Sequence, residues 1–309
     1  PPQMMRGGDW FQGTADAVYQ NINLIKLHNP DLVLVFGADH VYRMDIQQMV
    51  DFHYERASEV TVAALPVPLA DASAFGVIAA DHAGRVSEFQ EKPANPAPMP
   101  SDPTRAYASM GNYLFDSKIL VQALQEANAR GEHDFGQHVL PKLKETHRLF
   151  AYDFATNKVP GVKTYEELGY WRDVGTLDAY FEAHQDLLGI APRFDVFNPQ
   201  WRIFSSNYQG PVARLIKADV ENSVVAAGSL VQQAKISNSI IRREVIIEED
   251  VVIEDCVIQD YVWIKRGARL RRAIIGQYNV IEAGSRIGHD PEVDRQRYSV
   301  TAGGITVVG

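Results

Sequence analysis

Apolar residues in the first part of the chain keep two rhythms. In "GTADAVYQNINLIKLHNPDLVLVFGADHVYRMD", Ala15, Val18, Ile22 and Ile25 recur at spacings of three and four, the period of an amphipathic helix. Thr14 stands at its start as a cap, and Asn29-Pro30 stops it. Asp31 to Phe36 is then a short apolar run, which predicts a strand buried on both faces. Ile46 to Ala57 reads as a second helix and Val60 to Val67 as another strand. Helices alternating with short buried strands predict an α/β layered domain with a largely parallel sheet. Such sheets place ligands beyond the carboxyl ends of their strands, where Asp39 falls.

Beyond about residue 190 the texture changes. Residues 191–211 have no clean period and read as a linker or extended segment. Ile240, Ile246, Val252, Ile258, Ile264 and Leu270 are then spaced by six, and Ile275, Ile281 and Ile287 resume that spacing after one step of five. Val245, Val251, Val257 and Trp263 form a second row of the same period. Period six suits neither an α-helix nor an alternating strand. It is the signature of a parallel β-helix of hexapeptide repeats, in which each side of a triangular coil turns one aliphatic residue inward. The expected division is 1–190 for the α/β domain, 191–215 for a linker and 216–309 for the β-helix.

Composition narrows the function. The 309 residues are 46% hydrophobic and carry a net charge of -9, which argues against nucleic acid or an anionic membrane as main partner. One cysteine, Cys256, excludes an internal disulfide framework and suits the cytoplasm. No apolar run approaches the roughly 20 residues that span a bilayer. Many hexapeptide proteins are acyltransferases with a histidine on the coil; none of the nine histidines here lies in the periodic stretch.

The informative groups are carboxylates and one lysine. Asp39, and Asp173 in "GYWRDVGTLDAY", are placed either to hold Mg²⁺ against phosphate oxygens or to cap a turn. In "FQEKPANPAPMPSDP" five prolines stiffen a loop that opens on Glu91 and Lys92. Lys92 is suited to a phosphate and Glu91 to hydroxyls; the alternative is a solvated ion pair. Together these residues describe an α/β enzyme for a phosphorylated, hydroxyl-rich small molecule and a divalent metal, followed by a β-helix.

The stretches "WFQGTADAVYQN", "ADHVYRMD", "PVPLADASAFGVIAAD", "FQEKPANPAPMPSDP", "ASMGNYLFD", "HDFGQHVLPK", "YWRDVGTLDAYFEAHQDLL" and "RLRRAIIGQYNVI" resemble bacterial ADP-glucose pyrophosphorylase, also called glucose-1-phosphate adenylyltransferase. The resemblance covers almost the whole chain. It implies a Rossmann-like nucleotidyltransferase domain, N-terminally incomplete, followed by a left-handed parallel β-helix. It also implies the reaction of ATP with glucose 1-phosphate to give ADP-glucose and pyrophosphate in glycogen synthesis. By the same resemblance Asp39 and Asp173 match the family's Mg²⁺ carboxylates, and Lys92 the lysine that grips the sugar phosphate. Phe11, Gly76, Glu91 and Ser109 match positions around the sugar, Gly13 and Thr14 positions near the nucleotide, and Trp10 a residue that carries the regulatory signal. A homotetramer, a sugar-phosphate activator and a nucleotide inhibitor are implied in the same way.

Three departures accompany the match. The chain opens without Met and reaches its first helix with no strand before it, so the family's opening strand and glycine-rich phosphate loop are expected upstream. A regulatory or catalytically impaired variant that binds sugar phosphate and oligomerises is the alternative. Phe11 stands where the family has tyrosine, and Gly37-Ala38 reverses its Ala-Gly.

Overall fold

The computed structural model describes residues 10–204 and 207–309. Its elements group into two compact units. One holds the described residues through Ala38 together with Met44–Lys158; the other holds Asp39–Arg43 and Val159–Gly309.

The first unit opens with α1 (Thr14–Tyr19) and α2 (Ile22–His28), followed by β1 (Leu32–Val35). The single helix expected from the spacing is thus broken at Gln20-Asn21. Asn29 ends α2 in the left-handed conformation, which asparagine tolerates at a helix end. The strand β2 (His40–Tyr42) belongs to the second unit. After it come α3 (Ile46–Glu55), capped by the Asp45 carboxylate, and β3 (Val60–Pro68). Then follow β4 (Gly76–Ala80), β5 (Val86–Glu91), β6 (Arg105–Asp116), α4 (Ser117–Ala129), α5 (Leu140–Thr146) and β7 (Leu149–Asp153).

The sheet of this unit runs β5-β4-β6-β3-β7, with β1 also on β6. Among the described residues only β3 and β7 pair in parallel; the other pairings are antiparallel. The expectation of a largely parallel sheet is corrected here. The twelve-residue β6 runs against β1, β3 and β4, and β4–β5 is a hairpin closed by Asp81 and by Gly84 at φ 82. Hydrophobic pattern carries no strand direction. The expected burial of Leu32 to Phe36 is also only partial: among the described residues β1 pairs with β6 alone, and Leu34 keeps 41% of its surface exposed.

In the second unit β2 pairs antiparallel with β8 (Trp171–Asp173), setting His40 opposite Asp173. Arg43 fixes this ribbon through Glu166 at 3.0 Å, with both side chains almost fully buried, and stacks 4.5 Å from the Phe194 ring centre. Thr176 caps α6 (Leu177–Gln185), whose Phe181 packs with Val257, Ile274 and Ile305 of the following domain.

From β9 (Arg214–Ile216) the chain is a parallel β-solenoid. Ile247, Ile264 and Ile281 stack in register, as do Ile253, Leu270 and Ile287, and Ile241, Ile258 and Ile275. These residues form one core with Val245, Val251, Val262 and Ala268. Register partners in these rows stand seventeen residues apart, so their coils take steps of six, six and five, while the coils before them are sixteen residues long. The strict rows of six therefore drift across the wall. Ile258, Ile264 and Leu270 face inward, whereas Ile246 and Trp263 are exposed. The corners turn through left-handed residues, among them Glu244, Asp250, Asp255, Tyr261 and Gly267.

Candidate active site

In the second unit the β2–β8 ribbon carries two of the expected carboxylates to one place. Asp39 and Asp173 each offer an oxygen, and His40 a ring nitrogen, with all three atoms within 4.8 Å of one another. The Asp39 carbonyl accepts from the Val174 amide at 2.9 Å, and the Asp173 carboxylate accepts from the Gly175 amide at 2.8 Å. Both bonds fix the backbone of the turn while leaving oxygens of each carboxylate free. A Cβ on Gly175 would lie 3.0 Å from one Asp173 oxygen and 3.8 Å from one of Asp39, so glycine leaves open space beside them. Two adjacent carboxylates with that space alongside fit a divalent cation.

In the first unit a wall of candidate residues forms at the ends of β4, β5 and β6. Glu91 is paired with Gly76 in the β4–β5 ladder, and its carboxylate lies 3.3 Å from where a Cβ on Gly76 would stand. The same position is 3.9 Å from Ser109 Cβ. Ser109 hydrogen-bonds Tyr113, whose phenol burial pushes up to about 12, against the pull of that bond. Lys92 is exposed and holds φ 44, with its amide donating to the Phe75 carbonyl at 3.2 Å. The loop after it is tied back where the Ala97 amide meets the Gln90 side chain and the Met99 amide meets Arg105.

Gly13 and Thr14 join this wall through Asp134. The Thr14 hydroxyl donates to the Asp134 carboxylate at 3.0 Å and accepts from the Phe135 amide at 3.1 Å. Thr14 thus ties α1 to a distant loop instead of capping the helix, where no side-chain cap is made. Gly13 is required sterically, since a Cβ there would lie 2.4 Å from the His133 carbonyl oxygen. Phe11 is half-buried, and Trp10 is 70% exposed.

Comparisons with known proteins account for both parts of the chain. The family described as "Nucleotidyl transferase" matches residues 3–189, and "GlmU-like, C-terminal hexapeptide" matches residues 213–308. A glucose-1-phosphate adenylyltransferase of Thermodesulfovibrio yellowstonii is 52% identical over 309 residues, all of this chain and 75% of that protein. Relatives of the same name in an Anaeromyxobacter species and in Photobacterium profundum are each 42% identical, covering all of this chain and 77% of theirs. The chain belongs to the glucose-1-phosphate adenylyltransferase family. It is therefore a nucleotidyltransferase of an α/β domain followed by a β-solenoid, and this enzyme class works with a divalent metal.

Three residues near these groups, Asp134, Tyr113 and His40, were not among the candidates read from the sequence. Asp134 sits in "HDFGQ" and Tyr113 in "ASMGNY", both stretches that carry the resemblance, and His40 directly follows Asp39. An acid, a phenol and an imidazole inside matching segments were the available signal.

Proposed function

We propose that this chain transfers an adenylyl group from ATP to glucose 1-phosphate, giving ADP-glucose and pyrophosphate for glycogen synthesis. An oxygen of the sugar phosphate attacks the α-phosphorus in line, and the bond from that phosphorus to the β-phosphate bridging oxygen breaks. Positioning and charge neutralisation supply most of the rate in such a transfer. In this reading Lys92 faces the phosphate of glucose 1-phosphate, and Glu91 and Ser109 bond its hydroxyls. Gly76 leaves room for the ring, and Phe11 packs beside it. Gly13 and Thr14 lie by the nucleotide. Asp39 and Asp173 hold Mg²⁺, which supplies positive charge against the phosphate oxygens when bound.

The observation that carries the reading is the convergence of Glu91, Gly76 and Ser109 beside a lysine in a strained backbone conformation. The relatives' shared name supports adenylyl transfer over other nucleotidyl transfers. We further propose a homotetramer under sugar-phosphate activation and nucleotide inhibition, with Trp10 relaying the regulatory signal. A cytoplasmic setting fits these substrates. We also propose a functional division at 1–190, 191–215 and 216–309, which the family matches over 3–189 and 213–308 support.

Incubation with glucose 1-phosphate, Mg²⁺ and each of ATP, UTP, dTTP and GTP tests the proposal. ADP-glucose formed from ATP in large excess over the other sugar nucleotides is expected. Preferential formation of another sugar nucleotide overturns it.

A further inference from the structure

We infer that His40 is a third protein donor to the cation site, through Nε2, and that it tilts the site from Mg²⁺ toward cations that accept nitrogen, such as Co²⁺. The inference rests on the reading that Asp39 and Asp173 hold the divalent cation, and deepens it.

The ribbon register is the first support. His40 is the direct partner of Asp173 across β2 and β8, and directly opposed residues send their side chains to one face of a sheet. Asp39 immediately precedes the first residue of that strand. The His40 Nε2 stands 3.6 Å from an Asp39 carboxylate oxygen. That is beyond a hydrogen bond but within ion-pair reach. It is also a separation that one ion with bonds of about 2.1 Å spans with both atoms as neighbouring ligands.

The surroundings of the ring point the same way. The His40 Nδ1 is buried and has no hydrogen-bond partner among the described residues. This ring is instead steadied by edge-on packing against Trp171, with centroids 4.9 Å apart. Packing fixes the plane of the imidazole and leaves Nε2 to whatever lies between the carboxylates.

Gly175 supplies the third support. Its φ is not in the left-handed region, so the backbone there does not require glycine. What glycine provides is volume next to oxygens of both Asp39 and Asp173. Two carboxylates alone suit Mg²⁺, which keeps an oxygen shell with several waters. An imidazole added to them raises affinity along the Mn²⁺ to Co²⁺ order.

The test uses Co²⁺ and Mg²⁺ alone, titrated into the chain by calorimetry and, for Co²⁺, by its visible absorption. The wild type is expected to bind one Co²⁺ more tightly than Mg²⁺. His40→Gln should weaken Co²⁺ at least about ten-fold, the lower bound for disturbing a metal ligand, and change Mg²⁺ by less than about two-fold. Unchanged Co²⁺ affinity in His40→Gln overturns the inference. In the wild type, bound Co²⁺ should shift the ring-proton resonances of His40, a readout that needs no variant; unmoved His40 signals at stoichiometric Co²⁺ also overturn it. Asp173→Asn separates the two claims. If that variant keeps its Co²⁺ affinity, the carboxylate reading fails and takes the inference with it. If only His40→Gln is silent, the carboxylate reading stands and the inference alone falls.

Discussion

Lys92 has a side chain yet sits at φ 44, immediately before Pro93. Left-handed backbone costs a residue with a Cβ on the order of 1–3 kcal/mol, and such strain gathers where a side chain must be aimed. Two substitutions separate the strain from the charge. Lys92→Gly should raise the thermal unfolding midpoint by relieving the backbone, whereas Lys92→Ala should leave it near the wild type. Both should weaken glucose 1-phosphate binding, by roughly ten-fold to a hundred-fold for one lost charged hydrogen bond of about 1.5–3 kcal/mol. Calorimetry and thermal denaturation read the two effects. Equal stability of the glycine and alanine variants would show that no strain is stored there. At this scale much was legible. Asp39, Asp173, Glu91 and Lys92 stand out as candidates by type and place, each with a turn cap or a solvated ion pair as its alternative. Asp134 did not, because its partner Thr14 lies 120 residues away and no local pattern joins them.

The solenoid corners put the same backbone argument on an element. Asp250, Gly267 and Gly284 occupy equivalent corner positions in successive coils, all with positive φ. A Cβ on Gly284 meets nothing within 4 Å, and one on Gly267 meets only a backbone nitrogen at 3.9 Å. Alanine at either site is therefore charged only for its conformation, about 1–2 kcal/mol. Asp250→Gly should stabilise by a similar amount, less the added freedom of the unfolded chain. Urea denaturation of the three variants checks both signs. The period of six was legible because nearly all inward residues, Cys256 excepted, are aliphatic, and each corner takes one tight turn. Which residues face inward was not, because the five-residue steps at Ile253 to Ile258 and Leu270 to Ile275 shift the row. The mostly antiparallel sheet was hidden for another reason: β1 and β3 look alike as apolar runs whichever way their neighbours travel.

For the whole molecule, Cys256 links packing to pH. Burial in the solenoid core pushes its thiol from an ordinary 9.0 up to about 12, with the sulfur donating to the Glu254 carbonyl at 3.1 Å. The folded state thus holds this proton more tightly than the unfolded chain. Its contribution is complete below pH 9 and is lost as pH rises toward 12. Burial of Tyr113, also raised to about 12, adds a second loss that begins only above pH 10. Stability by urea titration should fall between pH 9 and 10 in the wild type and stay flatter there in Cys256→Ala. The thiol should also resist alkylation until the solenoid unfolds.

At this scale the sequence already announced two folded parts and an acidic, metal-assisted enzyme. It did not announce that residues 39–43 and 159–190 pack with the solenoid unit, since Arg43 meets Glu166 only across a long excursion of the chain. The central claim is adenylyl transfer, and pyrophosphorolysis tests it most directly. ADP-glucose, pyrophosphate and Mg²⁺ are supplied, ATP is followed, and UDP-glucose is run alongside. The account predicts ATP from ADP-glucose, no comparable UTP from UDP-glucose, and loss of turnover by at least about a hundred-fold in Asp39→Asn or Asp173→Asn, as expected when transition-state charge is left uncompensated. UTP formed as readily as ATP, or full turnover in both asparagine variants, would contradict it.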